Sequence, residues 1–120
     1  MNVYHIYKIT NKINNKVYIG QTTLKNPILR WRQHCNNSRY KIKGRLYNSM
    51  RKHGINNFVY EEIACSDGLL DLNILEILLI LQYKSVNPKF GFNIDNGGNN
   101  KMSNPISKAK ASKKIKKQYE

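Results

Sequence analysis

The stretch from Leu69 to Tyr83, LLDLNILEILLILQY, is the segment that most limits what this chain can become. It is too short and too interrupted for a bilayer span, and it is apolar nearly all round, which predicts a buried helix. A chain of 120 residues has material for one compact core and a short appendage, so the rest of the sequence must wrap this helix. Within it Glu76 stands among Leu72, Ile74, Leu75, Ile77, Leu78, Leu79, Ile80 and Leu81. An unpaired buried carboxylate costs several kcal/mol, so Glu76 must meet a cation or reach water. Three readings remain open: an ion pair with one of the many Lys or Arg, a helix turned toward solvent, or a hard divalent ion. An ion such as Mg²⁺ commonly takes one or two protein carboxylates and completes its shell with water and phosphate oxygens.

Upstream, Val3 to Thr10 and Val17 to Ile19 read as strands around a turn cluster from Asn11 to Lys16. With Asn14 and Asn15 as a two-residue loop, Tyr18 pairs with Asn11, an even step from Tyr7, and both tyrosines share one face. They then lie roughly 13 Å apart along the strand, and a wider loop brings them closer. Asn26-Pro27 is a helix start, and Ile28, Trp31 and Cys35 recur at helical spacing, predicting a helix from Pro27 to about Asn36. On it Arg30 and His34 stack four residues apart, flanked by Gln33. A second helix is expected from about Arg45 to His53, with Leu46, Tyr47 and Met50 inward and Gly54 ending it. Phe58 to Ala64 reads as a third strand. Residues 1–96 are therefore assigned to one domain, and residues 97–120 to a linker and basic tail.

Charge narrows the partner. Lys and Arg number 21 against 7 Asp and Glu, a formal net charge of +14, which favours nucleic acid or an anionic membrane surface. Up to Tyr60 there are twelve basic residues and no acid, and the last twenty residues hold seven lysines. Cys35 and Cys65 have no paired spacing, which argues against a disulfide framework or zinc site and for a reducing compartment. Without a signal-peptide pattern, a soluble intracellular protein is expected. Arg30 and His34 read either as a solvated basic face or as a phosphate clamp beside a proton carrier. Strand tyrosines such as Tyr4 and Tyr60 need be no more than half-buried packing groups, and Asn93 no more than a turn residue.

The order of these features is more specific than any one of them. His5-Ile6-Tyr7, Tyr18-Ile19-Gly20, the Arg30 and His34 of LRWRQH, RKHG at 51–54, Glu76 and the GFN of Gly91 to Asn93 follow in series. This series resembles the GIY-YIG nuclease family over residues 3 to about 96, with His5 where the first motif has Gly. Some members carry a further active-site His between the first two helices, where this chain has Lys41, Lys43 and Tyr47. The resemblance implies an α+β fold, a small three-stranded antiparallel sheet flanked by about three helices. It implies metal-dependent hydrolysis of a DNA phosphodiester. Tyr7 then takes the proton from the attacking water, Tyr18 orients that water or the phosphate, and Arg30 neutralises charge developing on the phosphate. Glu76 holds one Mg²⁺ or Mn²⁺, with His34 and Asn93 as supporting polar groups. A free tyrosine, with a pKa of about 10, is a poor base at neutral pH, but an acid-free neighbourhood leaves nearby cationic fields unopposed.

DNA contacts are expected from Arg32, Lys41, Lys43 and Arg45, and from Lys113 and Lys114 in the tail, which loosely resembles short basic modular motifs following such domains. A monomer or weak dimer is expected. The competing readings are a non-catalytic nucleic-acid-binding module on the same scaffold and a packaging or ribosome-associated protein. Packaging explains the charge but not Glu76.

Overall fold

A computed structural model describes residues 3–97. Strand β1 (Tyr4–Asn11) and strand β2 (Val17–Thr22) are followed by helices α1 (Ile28–Arg39) and α2 (Arg45–His53), a short 3-10 turn, strand β3 (Phe58–Ser66) and helix α3 (Leu69–Tyr83). The sheet is antiparallel in the order β2-β1-β3, the α+β arrangement that the motif series implies. The expected tail, with Lys113 and Lys114, lies outside the described residues.

Strand alternation divides the core in two. Tyr7, Ile9 and Phe58 bury one face against Cys35, Leu46, Met50 and Phe92. Ile6 and Ile19 bury the other against Leu72 and Ile80 of α3. Between Ile6 and Tyr7 the register with β3 shifts: Tyr7 faces Glu62 while Ile6 faces Ala64. A bulge of this kind bends and twists the strand pair just where Tyr7 sits. His5, in the central strand, sets its imidazole against Glu62.

The hairpin is wider than the two-residue loop considered above. Asn11 is fully buried, and its amide nitrogen donates to the Lys16 carbonyl at 2.9 Å. Its side-chain oxygen accepts from Ile13 N at 2.9 Å and its Nδ2 donates to Ser49 Oγ of α2 at 3.0 Å, so the turn is anchored to a helix. Asn15 takes a positive φ of 63° that closes the loop. Tyr18 consequently pairs with Ile9 rather than Asn11, and the Tyr7 and Tyr18 ring centroids are 6.2 Å apart.

Helix α1 runs to Arg39, past the expected Asn36, and β3 runs to Ser66. Helix α2 ends as its sequence predicts, on Gly54 at φ 90°. Helix α3 has the expected bounds but is not buried all round. Leu72, Asn73, Glu76, Ile77 and Ile80 face inward, while Leu70, Ile74, Leu78 and Leu81 keep 41–59% exposure. One sheet face can cover only one side of a helix.

After α3 the chain returns along the free edge of β2. Val17 N donates to Phe90 O at 3.1 Å, and Phe92 N donates to Val17 O at 2.9 Å. Gly91 lies so close that a Cβ there would stand 2.4 Å from Ser85 Cα and 2.5 Å from Val17 O. This strap, Ser85 to Asn93, closes the sheet edge and delivers Asn93.

Candidate active site

The site forms where β2 meets its strap. Gly20 lies opposite Tyr7 in the ladder, and the Tyr7 ring fills the space above it. A Cβ on Gly20 would stand 2.4 Å from Tyr7 Oη and 2.9 Å from Tyr18 Cε2, so the glycine is a demand of the tyrosines. Tyr7 is wholly enclosed, its ring 5.1 Å from that of Tyr60 and 5.5 Å from that of His34. Tyr60 in turn stacks on Trp31 and donates its hydroxyl to Pro27 O at 2.8 Å.

From this packed floor a row of polar groups runs along α1 and α2. Arg30 Nε donates to Tyr7 Oη at 3.3 Å, Tyr7 Oη is 2.7 Å from His34 Nε2, and His34 Nδ1 is 2.7 Å from Tyr47 Oη. Asn37 Nδ2 donates to Tyr47 Oη at 3.0 Å. Each His34 nitrogen therefore meets a phenol oxygen, and the neutral imidazole donates to one of them and accepts from the other. Tyr47 thus occupies the region between α1 and α2 where no histidine stands. Its hydroxyl role leaves no trace in the sequence, where it reads only as an inward packing residue.

Tyr18 lines a cleft of about 230 Å³ together with Lys43, Arg45, Tyr47, Glu76 and Asn93. It comes from the α2 side of the sheet and Glu76 from the α3 side, so the cleft folds around the edge of β2. Glu76 is 6% exposed, and Gln21 Nε2 donates to its Oε1 at 3.0 Å and to Asn73 Oδ1 at 2.7 Å. Asp95 lines the same cleft and was not anticipated from its loop. Asn93, also 6% exposed, clamps β2: Ile19 N donates to its Oδ1 at 2.9 Å and its Nδ2 donates to Ile19 O at 2.8 Å. Its partners are backbone atoms, so it builds the cleft wall.

The expected surface cations divide. Arg45 Nη1 donates to Val86 O at 3.3 Å and Nη2 to Asn93 O, so that guanidinium ties the strap to α2. Arg32, Lys41 and Lys43 are exposed, and Lys43 lies on the cleft rim.

Burial sets the resting charge states. It pushes the Tyr18 phenol up to about 12, opposed by Arg30 and reinforced by Glu76 and Asp95. Burial and neighbouring Tyr18 raise Tyr7 well above the usual phenol value, although Arg30 pulls the other way. His34 is driven down to about 3 by burial and by the Arg30 charge. At neutral pH the row therefore holds Tyr7 as a neutral phenol and His34 as a neutral imidazole beside the Arg30 guanidinium. The donor set for a metal is narrow: among the described residues no group of three or more His, Cys, Asp and Glu could hold an ion. A hard ion that uses one or two protein carboxylates needs no such group.

Fold and cleft together define the class, and comparison with known proteins agrees. The pattern of the GIY-YIG catalytic domain matches residues 3–90, and the chain belongs to that family. The domain is accordingly of the endonuclease class, a phosphodiester hydrolase. Two solved structures resemble it. The catalytic domain of the homing endonuclease I-TevI is 30% identical, covering 77% of this chain and 98% of that one with a TM-score of 0.65. A point mutant of the same domain is 29% identical, covering 79% and 96% with a TM-score of 0.66. The protein 146R of Invertebrate iridescent virus 6, whose name assigns it an MSV199 domain, is 34% identical over 91 residues. The match takes in 72% of this chain and 36% of that relative, so the chain spans about a third of its length.

Proposed function

We propose that the protein is a metal-dependent endonuclease that hydrolyses DNA phosphodiester bonds, of homing, mobile-element or viral type, acting inside the cell. The observation that carries this reading is that Tyr18 feels two opposed charges, Arg30 from the row behind it and Glu76 from across the cleft. Arg30 is held by the Tyr7 row behind Tyr18, and Glu76 lines the cleft with Tyr18 from the opposite face of the sheet. Glu76, with Asp95 beside it on the lining, would hold Mg²⁺ or Mn²⁺. The ion would supply Lewis-acid charge at the scissile phosphate and offset the carboxylate field that adds to burial in holding the proton on Tyr18.

The residues divide the remaining work. Of the two motif tyrosines Tyr18 lines the cleft, so it meets the attacking water, whereas enclosed Tyr7 acts through Arg30 and His34. Tyr7 Oη fixes the Arg30 side chain, whose charge stabilises the negative charge gathered on the phosphate in the transition state. Arg30 and His34 both meet Tyr7 Oη, which fixes that ring behind Tyr18, and the Arg30 charge favours the Tyr18 phenolate that would take the proton from the attacking water. Tyr47, itself held by Asn37, anchors the other ring nitrogen of His34. Asn93 and Gln21 fix the two walls.

The test is conversion of supercoiled plasmid to nicked and linear forms in Mg²⁺ at low salt, beside a Glu76→Ala variant and a chelator control. Cleavage by the parent that vanishes in both controls supports the assignment. Unchanged DNA binding with no cleavage in any metal would sink it in favour of a binding module on the GIY-YIG scaffold.

A further inference from the structure

A second cleft, of about 320 Å³, opens beside the first and shares Arg45 and Phe92 with it as lining residues. Lys16, just before β2, forms one wall, and Lys52 and His53 from the last turn of α2 contribute to the other. Ser49 and Asn48 add hydroxyl and amide donors. None of the six acids among the described residues lines it, and neither Lys16 nor Lys52 forms an ion pair there. Positive charge near the end of α2 also suits the helix dipole, but that accounts for Lys52 and His53 alone. Lys16 belongs to a different element and converges on the same space.

Position along the strand relates the two clefts. Lys16 and Tyr18 are two residues apart in extended chain, roughly 6.6 Å at 3.3 Å per residue. One strand of duplex DNA rises about 3.4 Å along the helix axis per phosphate and winds around that axis as well, so adjacent phosphates lie farther apart than the rise and the offset spans about one to two nucleotides. We propose that this groove is a phosphate track. It holds the backbone of the DNA strand about one to two nucleotides from the scissile bond, with Lys16 and Lys52 as its charged contacts and Arg45 as a structural tie between the clefts. The contact is to phosphate, so it adds affinity and register without reading bases.

This inference rests on the nuclease reading of the neighbouring cleft, but binding tests it without cleavage. The full chain, in chelator, is titrated with a fluorescent DNA duplex over a range of NaCl concentrations, comparing the parent with Lys16→Gln, Lys52→Gln and the double variant. Lys8→Gln is the matched charge change on the α3 side of the sheet. Two lost phosphate contacts should reduce the slope of log affinity against log salt by about 1.8, and each single variant should account for half. Lys52→Arg should restore the parent slope, and unchanged melting temperatures should exclude misfolding. In cleavage assays KM should rise several-fold while kcat stays within about twofold. An unchanged slope in the folded double variant, or an equal loss in Lys8→Gln, overturns the track. Slope loss in a protein that never cuts DNA keeps the track and removes the catalytic reading. Cutting with an unaltered slope does the reverse.

Discussion

Acid should weaken this fold through one imidazole. His34 is 1% exposed and its pKa is held at about 3, by burial first and by Arg30 second. In the unfolded chain a histidine titrates near 6.5. Below that pH the unfolded state takes up a proton that the native state refuses, so this contribution is present above about 6.5 and is lost as pH falls. Between pH 7 and pH 5 the linkage amounts to about 1.9 kcal/mol, set almost wholly by the unfolded value once the native one lies below about 4. That window also keeps ordinary carboxylates out of the titration. The assay is urea unfolding of the parent and of His34→Gln at pH 7, 6 and 5. His34→Gln should be less stable at pH 7 for loss of its hydrogen bonds, but its stability should fall about 1.9 kcal/mol less than the parent's on going to pH 5. Parallel pH dependences in the two proteins would refute the argument, because they would mean that His34 accepts a proton in the folded state.

Three other substitutions probe the same region. Gly20→Ala puts a methyl 2.4 Å from Tyr7 Oη, so it should cost about 1–3 kcal/mol by thermal or urea unfolding and abolish cleavage; stability equal to the parent would contradict the packing. Tyr47→Phe should keep the fold and KM but lower kcat by up to about tenfold, the worth of one buried hydrogen bond, with an altered pH–rate profile. A kcat within twofold of the parent and an unmoved profile would remove Tyr47 from the row. Asn93→Ala leaves the amide and carbonyl of Ile19 unpartnered and should cost about 2–4 kcal/mol, with Asn93→Asp between it and the parent; a loss under about 1 kcal/mol would mean that the strap holds without its clamp.

Much of the scaffold can be read from local chemistry. Alternating residues mark β1, β2 and β3, Gly54 stops α2, and the apolar run predicts the bounds of α3, because each signal acts within a few residues. What the sequence hides is set at long range. The hairpin width depends on Asn11 reaching Ser49, and a run of asparagines offers several equivalent turns. The outward stripe of α3 was read as buried because periodicity cannot show that only one layer lies beside the helix. Arg45 reads as a DNA contact by charge alone, whereas its partners are carbonyls brought by the strap. Tyr47, Gln21 and Asp95 carry no motif, and only the packing of distant elements brings Tyr47 and Asp95 to the cleft and Gln21 to Glu76. Glu76 could be singled out because a carboxylate in an apolar run demands an explanation wherever the helix lies.

The strap also sets when this protein can first become active. Ile19 and its clamp Asn93 are 74 positions apart, so the wall behind Tyr18 is among the contacts of greatest sequence separation. At ordinary synthesis rates about 4–15 s pass between the making of β2 and of the strap. Through that interval the nascent hairpin already has both tyrosines, but its β2 edge is open and the cleft has no far wall. A polybasic nascent chain near nucleic acid could therefore bind before it could cut, and competence would arrive only when the edge that invites mispairing is sealed. Fold quality control and the onset of hydrolysis would then be one event.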